Sequence, residues 1–309
     1  MVKISKFAIS CRKRWQLFIF LIPAVVYILV FAYYPMFGVQ IAFRNFTPVD
    51  GIWGSEWVGL RHFERFFNSF MFSRVIINTL RLSIYSLLLN MPLAIIMALA
   101  INAVRNLRYK KFVQTVTYMP HFISVVVLVG MIIQMFNPIM GMYGTIYRMF
   151  AGGGYPRDLL TQARTFPHFF VLSTTWQSLG WSTIIYIAAL SNSDPELHEA
   201  AQIDGATRLK RIIHIDFPVL LPTISIMFVL TVGGIMNVGF ERAFLLQNPT
   251  NLSYSEVIST YVFKVGMAMG GMNFSFAAAI GLFNSVINCA LLLFANAFTR
   301  KIEGGASLF

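Results

Sequence analysis

Six stretches of mostly apolar residues, at 15–37, 75–103, 112–136, 166–190, 217–238 and 274–298, dominate this chain. A bilayer core about 30 Å thick is crossed by roughly 20 helical residues, so each stretch is long enough to span it. Within lipid every backbone N–H and C=O must be paired inside the segment, and long apolar runs meet that demand as helices. The chain is 57% hydrophobic and only 12% charged, which leaves too little polar surface for a soluble domain of 309 residues. The expectation is an all-α integral membrane protein with six transmembrane helices, a multi-pass arrangement in which both termini share one side.

Charge gives the direction. With the termini inside, the inner segments hold Lys3, Lys6, Arg12, Lys13 and Arg14, then Arg105, Arg108, Lys110 and Lys111, then Arg208, Lys210 and Arg211, and last Arg300 and Lys301. The outer loops are longer yet hold only Arg44, Arg61, Arg65, Arg74, Arg148, Arg157, Arg164, Arg242 and Lys264. The positive-inside rule therefore predicts a cytoplasmic segment at 1–14, one transmembrane domain at 15–299 and a cytoplasmic tail at 300–309. The net charge of +12 is explained by these flanking cations and by membrane lipid, with no nucleic acid required. Arg81, near the outer end of the second stretch, is expected to snorkel. The basic and then apolar N-terminus resembles a signal peptide, but the run at 15–37 exceeds an h-region of about 7–15 residues and lacks an A-x-A site. A retained first span is expected.

The spans are not uniform. Pro92, Pro120 and Pro138 interrupt or end the second and third, and Gly233, Gly234, Asn237 and Gly239 crowd the end of the fifth. Aromatic residues from Trp53 to Phe72, with Arg61 and Arg65 among them, suggest a helix lying in the membrane interface. Polar and aromatic candidates for a solute path are Trp181 and Tyr186 on the fourth stretch, Asn237 on the fifth with Glu241 and Arg242 just beyond, and Asn284 and Asn288 on the sixth. Hydroxyl-rich ligands need such hydrogen-bonding groups and flat aromatic faces. Equally, each Asn can join two helices by a hydrogen bond, and each Trp or Tyr can sit in the interfacial belt. Asn237, flanked by glycines, is the strongest of these candidates. Cys11 and Cys289 lie far apart, and the five histidines are dispersed, so neither a metal site nor a catalytic cluster is indicated. The run at 151–156 contains no GxxxxGK[ST] phosphate loop. On the residues alone, a transporter subunit, a membrane-embedded enzyme and a receptor remain open.

One polar segment, 194–218, separates the fourth and fifth stretches. Ser193 with Glu196 matches a capping box, Asp194 and Pro195 suit a first turn, and Gly205 suits a helix stop, which predicts a helix over 194–204. Ala200 and Ala201 allow close approach by another surface, and Glu199 offers it a charge.

The spacing Glu199-Ala200-Ala201, three residues, Gly205, nine residues, Ile215, one residue, Phe217-Pro218 resembles the EAA motif of ABC importer membrane subunits. Phe217 stands where that motif has leucine. The whole chain is similar to the carbohydrate branch, LplB-like oligosaccharide permeases including those for alginate and pectin fragments. The carrying stretches are Tyr34-Pro35-Met36-Phe37-Gly38, Trp57-Val58-Gly59-Leu60, Pro120-His121-Phe122-Ile123-Ser124, and Gly233-Gly234-Ile235-Met236-Asn237-Val238-Gly239-Phe240-Glu241. The resemblance implies a type I ABC importer permease fold in a bacterial cell membrane, with a cytoplasmic coupling helix. It also implies a second homologous permease, two ATPase subunits, an extracytoplasmic solute-binding protein and an oligosaccharide substrate. The chain itself would bind no cofactor, since ATP and Mg would sit on the ATPase partners, and it would not be an enzyme. Glu199, Ala200, Ala201, Asp204, Gly205 and Pro218 would couple it to the ATPase. The outer arginines leave uronate-containing sugars as one option, and a non-sugar solute as another.

Overall fold

The computed structural model describes residues 15–151, 153–268 and 273–303. The predicted segment 1–14, with its five cations and Cys11, lies outside these residues, as do Gly152 and the tail beyond Glu303. The chain divides into two compact units, one of residues 1–66 with 265–282, the other of residues 67–264 with 283–309.

In the first unit, helix runs from Trp15 through Phe43, passing from α-helix to a π turn at Leu29–Tyr33 and a 3-10 segment at Phe37–Phe43. The π turn stands two residues before Pro35, and the Tyr34 N–H reaches back five residues to Leu29. Proline has no N–H and its ring presses on the carbonyl four residues back, so a wider turn keeps the remaining groups paired. A two-residue antiparallel pair follows, Arg44 opposite Trp57 and Asn45 opposite Glu56. Phe43 stacks on Trp57 at 5.6 Å. His62, buried on helix Arg61–Phe67, bonds the Arg44 carbonyl at 3.1 Å. Burial, reinforced by Arg65 and Arg61 and partly offset by that bond, holds its pKa below the ordinary imidazole range. The expected interfacial helix at 53–72 is therefore not one helix. It is a turn, a strand and a short helix, after which the second span begins at Phe70.

The second unit is built on helix Phe70–Asn102, capped by the Ser69 side chain, and helix Phe166–Leu190, which packs along it. Pro92 lies inside the first of these without breaking it. Two apolar clusters hold the pair. One joins Leu82, Phe166, Phe170 and Val171 to Val238 and Leu246, and the other joins Ala94 and Ala98 to Tyr186, Leu190 and Leu220. Gly180 brings helix Phe166–Leu190 against Leu107–Tyr118 so closely that a Cβ there would stand 2.1 Å from the Thr117 carbonyl oxygen.

The all-helical membrane fold is borne out, with changes to individual spans. Among the described residues, Ile19–Phe43, Phe70–Asn102, Arg208–Gly233 and Phe274–Lys301 are long and apolar enough to cross a membrane. The third expected span is not straight, for Leu107–Phe122 and Val125–Met135 meet at 93°. Pro120 sits in the 3-10 turn before the bend, and Ser124 caps the next helix through the Val127 N–H. The fourth, Phe166–Leu190, has 25 residues, roughly 37 Å of helix, but with its Ser, Thr and Gln side chains it is not among the helices apolar enough to count as such a span. Those hydroxyls turn back on their own helix, as Thr175 to Val171 and Thr183 to Leu179, which lowers the cost of placing them among apolar neighbours. The fifth span starts earlier than expected, at Arg208, and ends at Gly233. The Arg81 guanidinium lies 4.4 Å from the Tyr254 ring and donates to Asn78.

Candidate functional site

The second unit encloses a cavity of about 500 Å³, within the usual range of small-ligand pockets. Helical spacing builds its walls. Thr174, Ser178, Ser182 and Tyr186 recur every four residues on Phe166–Leu190 and form one polar stripe. Ser83, Ser86 and Asn90 face it from Phe70–Asn102, and Met227 and Thr231 close a third side. The Asn90 Oδ1 is buried without a hydrogen-bond partner among the described residues. The remaining wall is the non-helical turn 234–239 with Phe240, Glu241 and Arg242. Irregular backbone at this depth needs other partners. Ser83 donates to the Ile235 carbonyl, and Asn288 accepts from the Met236 N–H at 3.0 Å.

Arg242 is the cavity's cation. It is only 6% exposed, and its Nη1 donates to Ser173 Oγ at 3.1 Å and to Thr174 Oγ1 at 2.8 Å. Its Nη2 donates to Gln177 Oε1. Both hydroxyls spend their own protons on the Phe170 carbonyl, so towards Arg242 they act as acceptors. Gln177 in turn donates from Nε2 to the Ile123 carbonyl at the bend. Glu241, beside it, is exposed.

Of the residues expected along the solute path, Tyr186, Asn237, Glu241 and Arg242 line the cavity. Trp181, Asn284 and Asn288 do not. Trp181 stacks on His121 at 4.4 Å, and Asn284 donates to the Asn237 Oδ1 at 2.9 Å, which steadies Asn237 from behind. Sequence reading missed Asn90, the Ser/Thr stripe and the grip on Arg242. The four-residue recurrence of 174, 178, 182 and 186 in an apolar run was the available signal.

The polar segment forms the second feature. Its helix spans Pro195–Ile203, and the N-cap is Asp194, which accepts from the Glu196 N–H at 2.9 Å; Ser193 instead contacts His198 at 3.4 Å. The C-terminus closes with Gly205 at φ +75°, the Ala206 N–H on the Ala201 carbonyl and the Gly205 N–H on the Gln202 carbonyl. This is the Schellman pattern, and its left-handed residue is a glycine as that pattern favours. Thr207 then caps a continuous helix from Arg208 to Gly233. A π turn at Ile212–Asp216 precedes Pro218, again with a five-residue bond, from the Phe217 N–H to Ile212. Glu199, Ala200, Asp204 and Pro218 are exposed, Ala201 is half-buried, and Ile203 is 87% exposed. His198 ties this helix inward through Asp216 at 3.3 Å, and Asn102 reaches the same carboxylate at 3.4 Å.

The model of the family "Binding-protein-dependent transport system inner membrane component" matches residues 90–304. The polygalacturonan/rhamnogalacturonan transport system permease protein YteP of Bacillus subtilis (strain 168) is 37% identical over 299 residues, which cover 97% of this chain and 92% of that protein. Protein LplB of the same organism is 37% identical over 300 residues, covering 97% and 93%. Among solved structures, a bacterial ABC transporter involved in the import of the acidic polysaccharide alginate superposes with a TM-score of 0.86 at 37% identity, over 96% of this chain and 99% of that one. A related structure, of the alginate ABC transporter with an alginate pentasaccharide-bound periplasmic protein, gives a TM-score of 0.84.

Proposed function

Since this chain belongs to the binding-protein-dependent transport system inner membrane components, we propose that it carries an oligosaccharide across the membrane, received from an extracytoplasmic binding protein. It is a permease subunit, not an enzyme. The substrate reading is supported by the permease names of its relatives and by a cavity walled with hydroxyls, amides and Tyr186. A second homologous permease completes the pathway, and two ATPase subunits, which hold ATP and Mg, drive it from the cytoplasmic side, where both termini lie.

The observation that carries this reading is the mechanical path from the exposed helix to the cavity. Pro195–Ile203 is fixed at both ends, turns at Gly205 and joins a helix that continues from Arg208 to Gly233. Met227 and Thr231, on the far part of that helix, are cavity wall. A shift imposed on Glu199 and Ile203 by an ATPase groove is thereby passed to the wall, and the chain opens first one way and then the other.

The experiment is to purify the chain with its partner subunits, reconstitute it and add candidate binding proteins loaded with different oligosaccharides. Stimulated ATP hydrolysis together with sugar uptake is the expected result. Absence of sugar uptake with every loaded binding protein, in a complex that hydrolyses ATP in response to another solute, would overturn the oligosaccharide assignment.

A further inference from the structure

We propose that the first unit carries a binding site for the phosphate group of a membrane lipid, built on Arg61 and Arg65.

A pocket of about 450 Å³ is lined by Asn45, Val58, Arg61, His62, Arg65 and Asn273, all within that unit. Arg61 and Arg65 stand one turn apart on helix Arg61–Phe67, so both guanidiniums serve the same space. Among the described residues neither forms an ion pair, and no carboxylate lines the pocket. Glu64, on the same helix, and Glu56, opposite Asn45, are exposed and outside the lining, where water screens them. Arg65 lays its guanidinium over the Phe276 ring at 4.6 Å. Stacking uses the flat face and leaves the N–H groups at the edge to donate. Asn273 adds further donors, for its Oδ1 accepts from the Phe276 N–H at 3.0 Å and its two Nδ2 protons remain. His62 forms the uncharged wall. Its Nε2 donates to the Arg44 carbonyl at 3.1 Å, and burial holds the ring below the ordinary imidazole range.

The walls are also tied to one another. The Phe46 N–H donates to Ser275 Oγ at 2.8 Å, which joins the Asn45 side to the Asn273 side, and the bond from His62 to Arg44 joins helix to strand. The donors are thus set in place before anything binds. A phospholipid's two unesterified phosphate oxygens share one negative charge, and one oxygen can face each arginine. The level of the pocket suits a lipid. Trp57, beside the lining residue Val58, is 60% exposed and Trp53 is 77% exposed, and such rings settle among the headgroups, where the phosphates lie.

The detergent-purified permease–ATPase complex is stripped of lipid and titrated with phosphatidylglycerol, with diacylglycerol of the same chains and with inorganic phosphate, and binding is read by native mass spectrometry. The unmodified complex is expected to bind the phospholipid at least about tenfold more tightly than the diacylglycerol, the scale of one charge-assisted hydrogen bond. Arg61→Gln with Arg65→Gln should remove that preference. Arg157→Gln with Arg164→Gln, which takes the same charge from exposed positions before the fourth span, should keep it. Equal affinity of the unmodified complex for the two lipids overturns the proposal, as does the same loss in both double variants. Inorganic phosphate binding as tightly as the phospholipid would overturn the assignment to lipid. A variant at Arg61 and Arg65 that binds the phospholipid normally yet loses stimulation by the binding protein would make the pocket a protein contact, and the proposal falls. Should that variant fail to assemble, the single Arg61→Gln, which leaves the Phe276 stack intact, is read in its place.

Discussion

Replacing Gly205 with alanine should weaken the link between the exposed helix and the fifth span by a calculable amount. At φ +75° the residue sits in the left-handed region, and a Cβ built there meets nothing within 4 Å. The penalty is therefore one of backbone conformation alone, roughly 1–2 kcal/mol for an L-residue. That corresponds to about 5–30-fold fewer correctly ended helices. If the turn relaxes to negative φ, the Ala206-to-Ala201 and Gly205-to-Gln202 bonds break and Thr207 loses its position as the next cap. Asparagine, which tolerates this region, should cost less than alanine, and β-branched valine more. Proline, locked near −65°, forbids the turn and also removes the Gly205 N–H. The assay is binding-protein-stimulated ATP hydrolysis and sugar uptake in proteoliposomes at matched assembly. Activity should fall in the order Gly, Asn, Ala, Val, Pro. Valine equal to glycine, or normal stimulation in Gly205→Pro, would refute the reasoning.

Three other positions give sharp expectations. Gly180→Ala places a methyl 2.1 Å from the Thr117 carbonyl oxygen, backbone that cannot rotate away, so the helices must separate. A loss of about 1–3 kcal/mol is expected, read as a lower thermal midpoint of the assembled complex, and Thr117→Ala should not rescue it because the clash is with main chain. His198→Ala and Asp216→Asn should each lower uptake per ATP hydrolysed, because they cut the tie between the exposed helix and the base of the fifth span. The double variant should be no worse than the stronger single one, and strictly additive losses would show that the two residues do not act as a pair.

The sequence made the spans legible because hydropathy depends on composition alone, and it made the 194–204 helix legible because its caps are local. Asp194, Gly205 and Thr207 act on neighbours within three or four residues. Shifting the N-cap from Ser193 to Asp194 reflects a competitor outside that range, since the Ser193 hydroxyl contacts His198. The 93° bend lay beyond reach for the same reason. Pro120 signalled an interruption, but the bend's freed Ile123 carbonyl is taken by Gln177, a residue 54 positions away. The site was half legible. Asn237 and Tyr186 were visible as polar or aromatic residues in apolar runs, whereas Asn284 and Asn288 support a turn whose path no spacing reveals. Arg242 was visible as a charged candidate just beyond Asn237, but its burial against Ser173 and Thr174 was not.

Gln177 has two hands, and they hold different things. Its amide nitrogen grips the Ile123 carbonyl at the corner between two helix arms, and its amide oxygen grips the guanidinium of Arg242. Opening or closing that corner must either break the first grip or drag the side chain away from the second. The angle of the corner and the aim of the cation are thus a single variable. The same swing that reshapes the passage would therefore also move the guanidinium that lines it.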